Sequence, residues 1–146
     1  MNRISLLLLL SLSCPALAQL PTSLPRAKKV LTSLDKDEHL LDGVSFTFQY
    51  QNAGAIDIAF SDGKLTYKWI AGRNAGEPAK TLPYKSKKLD TGMYLVNWHE
   101  PDTKNFVTSV YNLKNNICAV SVISKYDSDR PFLGFQAGVI EHVKKK

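Results

Sequence analysis

Cysteine is nearly absent from this chain. Two occur in 146 residues, Cys14 and Cys118, and Cys14 lies in an N-terminal apolar segment of a kind that is removed on export. Arg3 gives that segment its positive start, Leu6 to Leu12 form an apolar run broken only by Ser11, and Ala16-Leu17-Ala18 supplies small residues for cleavage before Gln19. A lipoprotein attached through Cys14 is disfavoured, because Ser11 stands where leucine is usual and Pro15 follows the cysteine. With Cys118 alone in the mature chain, no intramolecular disulfide can form, even in the oxidising periplasm or outside the cell where export would place the protein. Cys118 sits between Ile117 and Ala119-Val120 and reads as a small buried hydrophobe.

Other absences narrow the function. No apolar run is long enough to span a bilayer, so no integral membrane segment is expected after leader cleavage. The chain carries no phosphate loop, dinucleotide fingerprint or nucleophile elbow, and hence no sign of a cofactor. His39, His99 and His142 are too far apart for a metal-ligand pattern. Asp127, Asp129 and Arg130 read as turn residues, and Asp102, behind Pro101, as a solvent-facing turn acid. The formal charge of +6 invites a nucleic-acid partner, but no stacking-aromatic or helix-turn-helix pattern accompanies Lys85, Lys87 and Lys88. Lys144-Lys145-Lys146 reads as a solvated basic tail over 144–146.

Helical periodicity is also scarce. Residues 19–40 form a proline-bearing extension, and Val30 to Leu41 could supply one or two helical turns capped by Thr32 or Ser33. From Gly43 onward, β patterning takes over. Val44 to Gln51 places Phe46, Phe48 and Tyr50 on one face, with polar residues between them. Asn52-Ala53-Gly54 makes a turn, and Ile56, Ile58 and Phe60 continue the inward set. Asp62-Gly63 is a hairpin signal, after which Leu65, Tyr67 and Trp69 share a face. A glycine-bearing loop spans Ala71 to Pro78, a short strand covers Tyr84 to Leu89, and Asp90-Thr91-Gly92 turns into Met93 to Glu100. Lys104 to Leu113 and Ile117 to Ser124 form a hairpin closed at Asn115-Asn116, and Phe132 to Val143 is the last strand. About eight short strands joined by tight turns predict an all-β, small antiparallel up-and-down barrel, which closes to remove its edges.

An eight-stranded barrel has room for packed side chains or for one small ligand. The strand Gly92-Met-Tyr94-Leu-Val96-Asn-Trp98-His-Glu100-Pro101 is the most telling in this respect. Tyr94, Val96, Trp98 and Glu100 share one parity, so a carboxyl ends an aromatic inward face. A carboxyl there costs free energy to ionise unless it is paired or hydrogen-bonded. Tyr50, Tyr67, Trp69, Tyr94, Trp98 and Glu100 are therefore candidate ligand-binding residues, with Arg73 at the mouth. The partner they suit is a small aromatic or amphipathic molecule. A filled barrel that binds a protein through its outer surface is the alternative.

Leu41 to Tyr50, Leu65 to Trp69, Gly92 to Pro101 and Phe135-Gln136-Ala137-Gly138-Val139-Ile140 together resemble the MoaF-like family. This family has a lipocalin-like (calycin) barrel and is related to the phenolic acid decarboxylases. The resemblance covers 41–143. It implies that Glu100, before Pro101, and Tyr50 match a glutamate and a tyrosine of the decarboxylase site. Phe48 stands at that site's other tyrosine, and Glu77 rather than Arg73 aligns with its arginine. The second function to weigh is accordingly a cofactor-free lyase with Glu100 as a general acid or base of raised pKa and Tyr50 orienting the substrate. Making a molybdenum cofactor is not implied, since export separates the chain from that intracellular process.

Overall fold

The computed structural model describes residues 38–146. Eight strands follow in chain order: β1 (Val44–Tyr50), β2 (Ala55–Ser61), β3 (Lys64–Ala71), β4 (Lys80–Asp90), β5 (Met93–Glu100), β6 (Asn105–Asn112), β7 (Ile117–Ser124) and β8 (Phe132–Lys145). Each pairs antiparallel with the next, and β8 returns to β1, so the sheet is a closed up-and-down barrel. The expected turns are where the pattern placed them. Ser61 pairs with Lys64 across Asp62-Gly63, both of which have positive φ (51° and 70°), as a two-residue hairpin requires. The leader (1–18) and most of the 19–40 extension lie outside the described residues. So does most of the helical turn expected over 30–41. Its last four residues contain a bridge from Glu38 to Ser86 and a turn.

Two boundaries differ from the sequence pattern, each for a physical reason. Lys144 and Lys145 are not a free tail: they extend β8 and pair with Ser45 and Val44. Lys146 also donates its backbone N–H to Gly43 O at 2.9 Å. Closing the barrel gives the start of β1 a partner, and the basic run supplies it. β4 likewise begins at Lys80, four residues before Tyr84. Its first half, Lys80 to Pro83, pairs with β3, whereas Tyr84 onward pairs with β5. β4 thus changes partners midway, and the β3–β4 ladder ends at Tyr67↔Lys80. The β4–β5 ladder starts only at Tyr84↔Trp98, so beside Glu100 the wall is splayed between β4 and β5.

One half of the interior is solid. Tyr111 is fully buried, and its ring lies 5.0 Å from Phe46 in an edge-to-face contact. Phe60 and Tyr84 make a similar contact at 4.9 Å. The Tyr84 hydroxyl donates to Asp42 Oδ1 at 2.9 Å and accepts from the Leu41 backbone N–H at 3.2 Å. This seals that end with the chain leading into β1. Cys118 is buried, and burial pushes its thiol up to about 11, as suits a packing residue rather than a nucleophile.

Candidate functional site: a half-open barrel cavity

The other half of the interior is a cavity of about 400 Å³. Phe48, Ile56, Ile58, Val107, Val120 and Val122 form its apolar walls, and Tyr50, Tyr67, Trp69 and Trp98 add rings with polar edges. Strand alternation accounts for the convergence, since these residues hold the inward parity on their strands. Tyr50 packs against Trp69 with ring centres 5.7 Å apart and edge-on to Phe48 at 4.9 Å.

Glu100 lies at the splayed wall and is only 6% exposed. Its Oε1 accepts from the Tyr67 hydroxyl at 2.8 Å and from Trp98 Nε1 at 3.1 Å. Its Oε2 accepts from Thr103 Oγ1 at 2.8 Å and Asn105 Nδ2 at 3.1 Å, and the Lys80 ammonium stands 3.5 Å from that same oxygen. Burial alone would raise the pKa of this carboxyl, but the donors from Thr103, Tyr67, Trp98 and Asn105 outweigh it and hold the pKa below the ordinary glutamate value. The raised pKa expected of a lyase acid is therefore reversed. Glu100 is an ionised, fully hydrogen-bonded carboxylate that fixes five neighbours. The phenols shift the other way. Burial raises Tyr50 and Tyr67 above the usual tyrosine range, Tyr67 being raised further by Glu100 beside it. Both are neutral hydrogen-bonding groups.

The pH dependence follows from the depressed Glu100 pKa. Its contribution to stability is complete above the ordinary carboxyl pKa of 4.5 and is lost as pH falls through the lower folded value. Urea midpoints taken from neutral pH down to pH ~3 should show an acid loss in the parent protein that Glu100→Gln lacks. Equal acid losses in the two proteins would contradict this assignment.

Tyr50, Tyr67, Trp69, Trp98 and Glu100 all line the cavity, as the parity indicated. Tyr94 does not: it is half-buried against the packed half of the core, six residues before Glu100 on β5. Inward parity told its face but not its depth. Arg73 is exposed in the β3–β4 loop, and its loop neighbours Asn74 and Glu77 reach the cavity instead. The cation beside Glu100 is Lys80. The sequence pattern, which starts this strand at Tyr84, does not reveal it, whereas its place opposite Tyr67 in the β3–β4 ladder does. Thr103 and Asn105 lie three and five residues after Glu100, a spacing that a tight turn folds back onto the carboxylate. Gln136 shares the inward parity of Gly134 and Gly138 and also lines the cavity. Its Oε1 is buried without a hydrogen-bond partner among the described residues. The Tyr50 hydroxyl has no hydrogen bond among the described residues.

Among the described residues no group of three His, Cys, Asp or Glu side chains could hold a metal. No curated protein matches the sequence. The crystal structure of a putative beta-lactamase from Burkholderia vietnamiensis is similar, with a TM-score of 0.60 at 14% identity, covering 75% of this chain and 98% of that one. At that identity the likeness shows the barrel fold alone. The sequence profile of the MoaF-like family matches residues 42–134, which run from just before β1 through β7 to the first residues of β8. The chain belongs to the MoaF-like family.

Proposed function

We propose that this is an exported, lipocalin-like binding protein that takes one small aromatic or amphipathic molecule into the open half of its barrel. The cavity carries the proposal. Its volume of about 400 Å³ falls in the range of small-molecule sites, about 300–1,000 Å³. It combines apolar walls with a few oriented polar groups, two of which, the Tyr50 hydroxyl and Gln136 Oε1, have no hydrogen-bond partner among the described residues. An aromatic body would lie against Tyr50, Trp69 and Trp98, with a polar substituent meeting those two groups. The export half of the proposal rests on Arg3, the Leu6 to Leu12 run and Ala16-Leu17-Ala18. N-terminal sequencing of the mature protein should begin at Gln19.

The lyase alternative needs Glu100 to exchange a proton with substrate. All the donors around it act to keep it ionised and occupied, so binding is the better use of this geometry.

The chain has two tryptophans, Trp69 and Trp98, and both line the cavity. Their emission is a direct readout of occupancy. Titration with indole, naphthol and 4-hydroxycinnamate probes should give saturable quenching by at least one of them. Val122→Phe, which narrows the cavity, should weaken that binding by at least about tenfold. Emission that none of the probes alters, or quenching that Val122→Phe leaves intact, would count against the proposal.

A further inference from the structure

The outer surface of the barrel is divided by charge. Outward positions on β2, β3 and β4 include Asp57, Lys64, Lys68 and Lys85. The outward positions of β5, β6, β7 and β8 as far as Val139 contain no Lys, Arg, Asp or Glu. The second face is largely apolar, with Asn97, His99, Thr108 and Ser121 among its outward residues, and strongly relieved. At the start of β8, Leu133 and Phe135 stand out as a ridge, 73% and 77% exposed. Farther along the same face lies a trough of about 640 Å³, lined by the apolar Met93, Val110, Ile117, Ala119, Ala137 and Val139 and by the polar Gln49, Gln51, Asn112 and Glu141. The trough exists because small residues face each other across the β7–β8 ladder at Ala119↔Ala137, between the bulkier pairs Ile117↔Val139 and Ile123↔Leu133.

From this relief we infer that the protein is a twofold-symmetric dimer joined through the outer face of β5–β8. In an isologous interface one patch meets itself, so residue i meets j while j meets i. A face with an apolar ridge beside a largely apolar trough satisfies that condition. A twofold axis through the face, between Phe135 and Val139, sets each copy's ridge into the other's trough. Those residues are four apart on β8, roughly 13 Å at strand spacing, so both contacts form at once. The area is sufficient. The exposed parts of Phe106, Ile117, Ile123, Leu133, Phe135 and Val139 amount to a little over three whole large side chains, or about 650 Å². A stable interface takes about 800 Å² from each partner, of which about two-thirds is apolar, and a monomer's largest apolar patch is typically only about 300–600 Å². A flat lipid surface would engage the ridge and leave the trough empty, whereas a second copy fills both. The cavity is lined by inward-facing side chains, so this interface does not depend on the proposed ligand.

Sedimentation equilibrium of protein purified after expression of the full chain tests the inference, over about 1–100 µM. The expected result is twice the protomer mass. Phe135→Asp buries two charges per dimer and should weaken association by at least about 100-fold. Ala119→Glu, at the trough, should do the same if Phe135→Asp fails to fold, and Lys68→Glu on the charged face should leave the dimer unchanged. A protomer mass at about 100 µM overturns the inference. So does a dimer that withstands both Phe135→Asp and Ala119→Glu, or a monomer that floats with phosphatidylcholine vesicles.

Discussion

Alanine in place of Glu100 is expected to lower the free energy of unfolding by about 3–5 kcal/mol, the scale seen when one member of a buried charged network is removed. The loss is large because the carboxylate serves several partners at once. Without it the Tyr67 hydroxyl, Trp98 Nε1 and Asn105 Nδ2 lose their acceptor, and a buried donor left unpaired costs about 1–3 kcal/mol. Lys80 contributes less, because its side chain is 30% exposed and water screens the pair. Glu100→Gln keeps the shape and one carbonyl acceptor, so its loss at neutral pH should be about 1–2 kcal/mol. Urea denaturation of the two variants beside the parent protein checks both figures. A cost below about 1 kcal/mol for Glu100→Ala would mean that the network does not brace the splayed wall.

A second large effect is expected at the cavity mouth, where two hairpin turns touch through glycine. Gly54 follows β1 and Gly72 follows β3, with φ of +111° and +92°. A Cβ on Gly54 would come 2.1 Å from Ala71 O, and one on Gly72 would come 2.2 Å from Ala53 O. Both obstacles are backbone, so relief requires the hairpins to part. Gly72→Ala should cost about 3 kcal/mol, about 1–2 from the left-handed backbone and the rest from displaced main chain. Gly76→Ala provides the internal control. That residue has a φ of +93° and nothing within 4 Å of its would-be Cβ, so only the cost of the backbone conformation, about 1–2 kcal/mol, remains. Because either substitution alone separates the same two turns, Gly54→Ala and Gly72→Ala together should cost less than the sum of the two. Ala53 lines the cavity, so the parted turns should also weaken probe binding. Thermal melts that rank Gly76→Ala level with Gly72→Ala would refute the contact between the turns.

The barrel could be read from residue order because its determinants are local. Alternation at Phe46, Phe48 and Tyr50 sets the face, Asp62-Gly63 sets a turn, and tight turns between most strands favour neighbour pairing. Glu100 stood out for the same reason, as an acid on an aromatic parity. What stayed hidden depends on non-local geometry. Parity placed Tyr94 inward but could not say that it packs against the solid half, because depth depends on how the strands stagger around the barrel. Lys80 meets Glu100 only because β4 changes partners at Tyr84, a switch of ladder that no local pattern encodes. The sign of the Glu100 pKa shift was also misjudged from sequence. Burial was visible in the parity, whereas of the donors that outweigh it only Trp98 lies on β5, and Tyr67, Thr103 and Asn105 arrive from β3, the turn after β5 and the start of β6. The MoaF-like resemblance named the family, and it could not supply the cation, since the resemblance pointed to the Arg73–Glu77 loop rather than to β4.

The central claim is that the open half of the barrel is a ligand site. Native mass spectrometry of protein purified from its own exported fraction tests this most directly, with denaturation afterwards to release whatever is bound. The account predicts one small aromatic or amphipathic molecule per chain, lost on denaturation and absent from Val122→Phe. A bare chain mass, with no shift on adding indole, naphthol or 4-hydroxycinnamate, would contradict it.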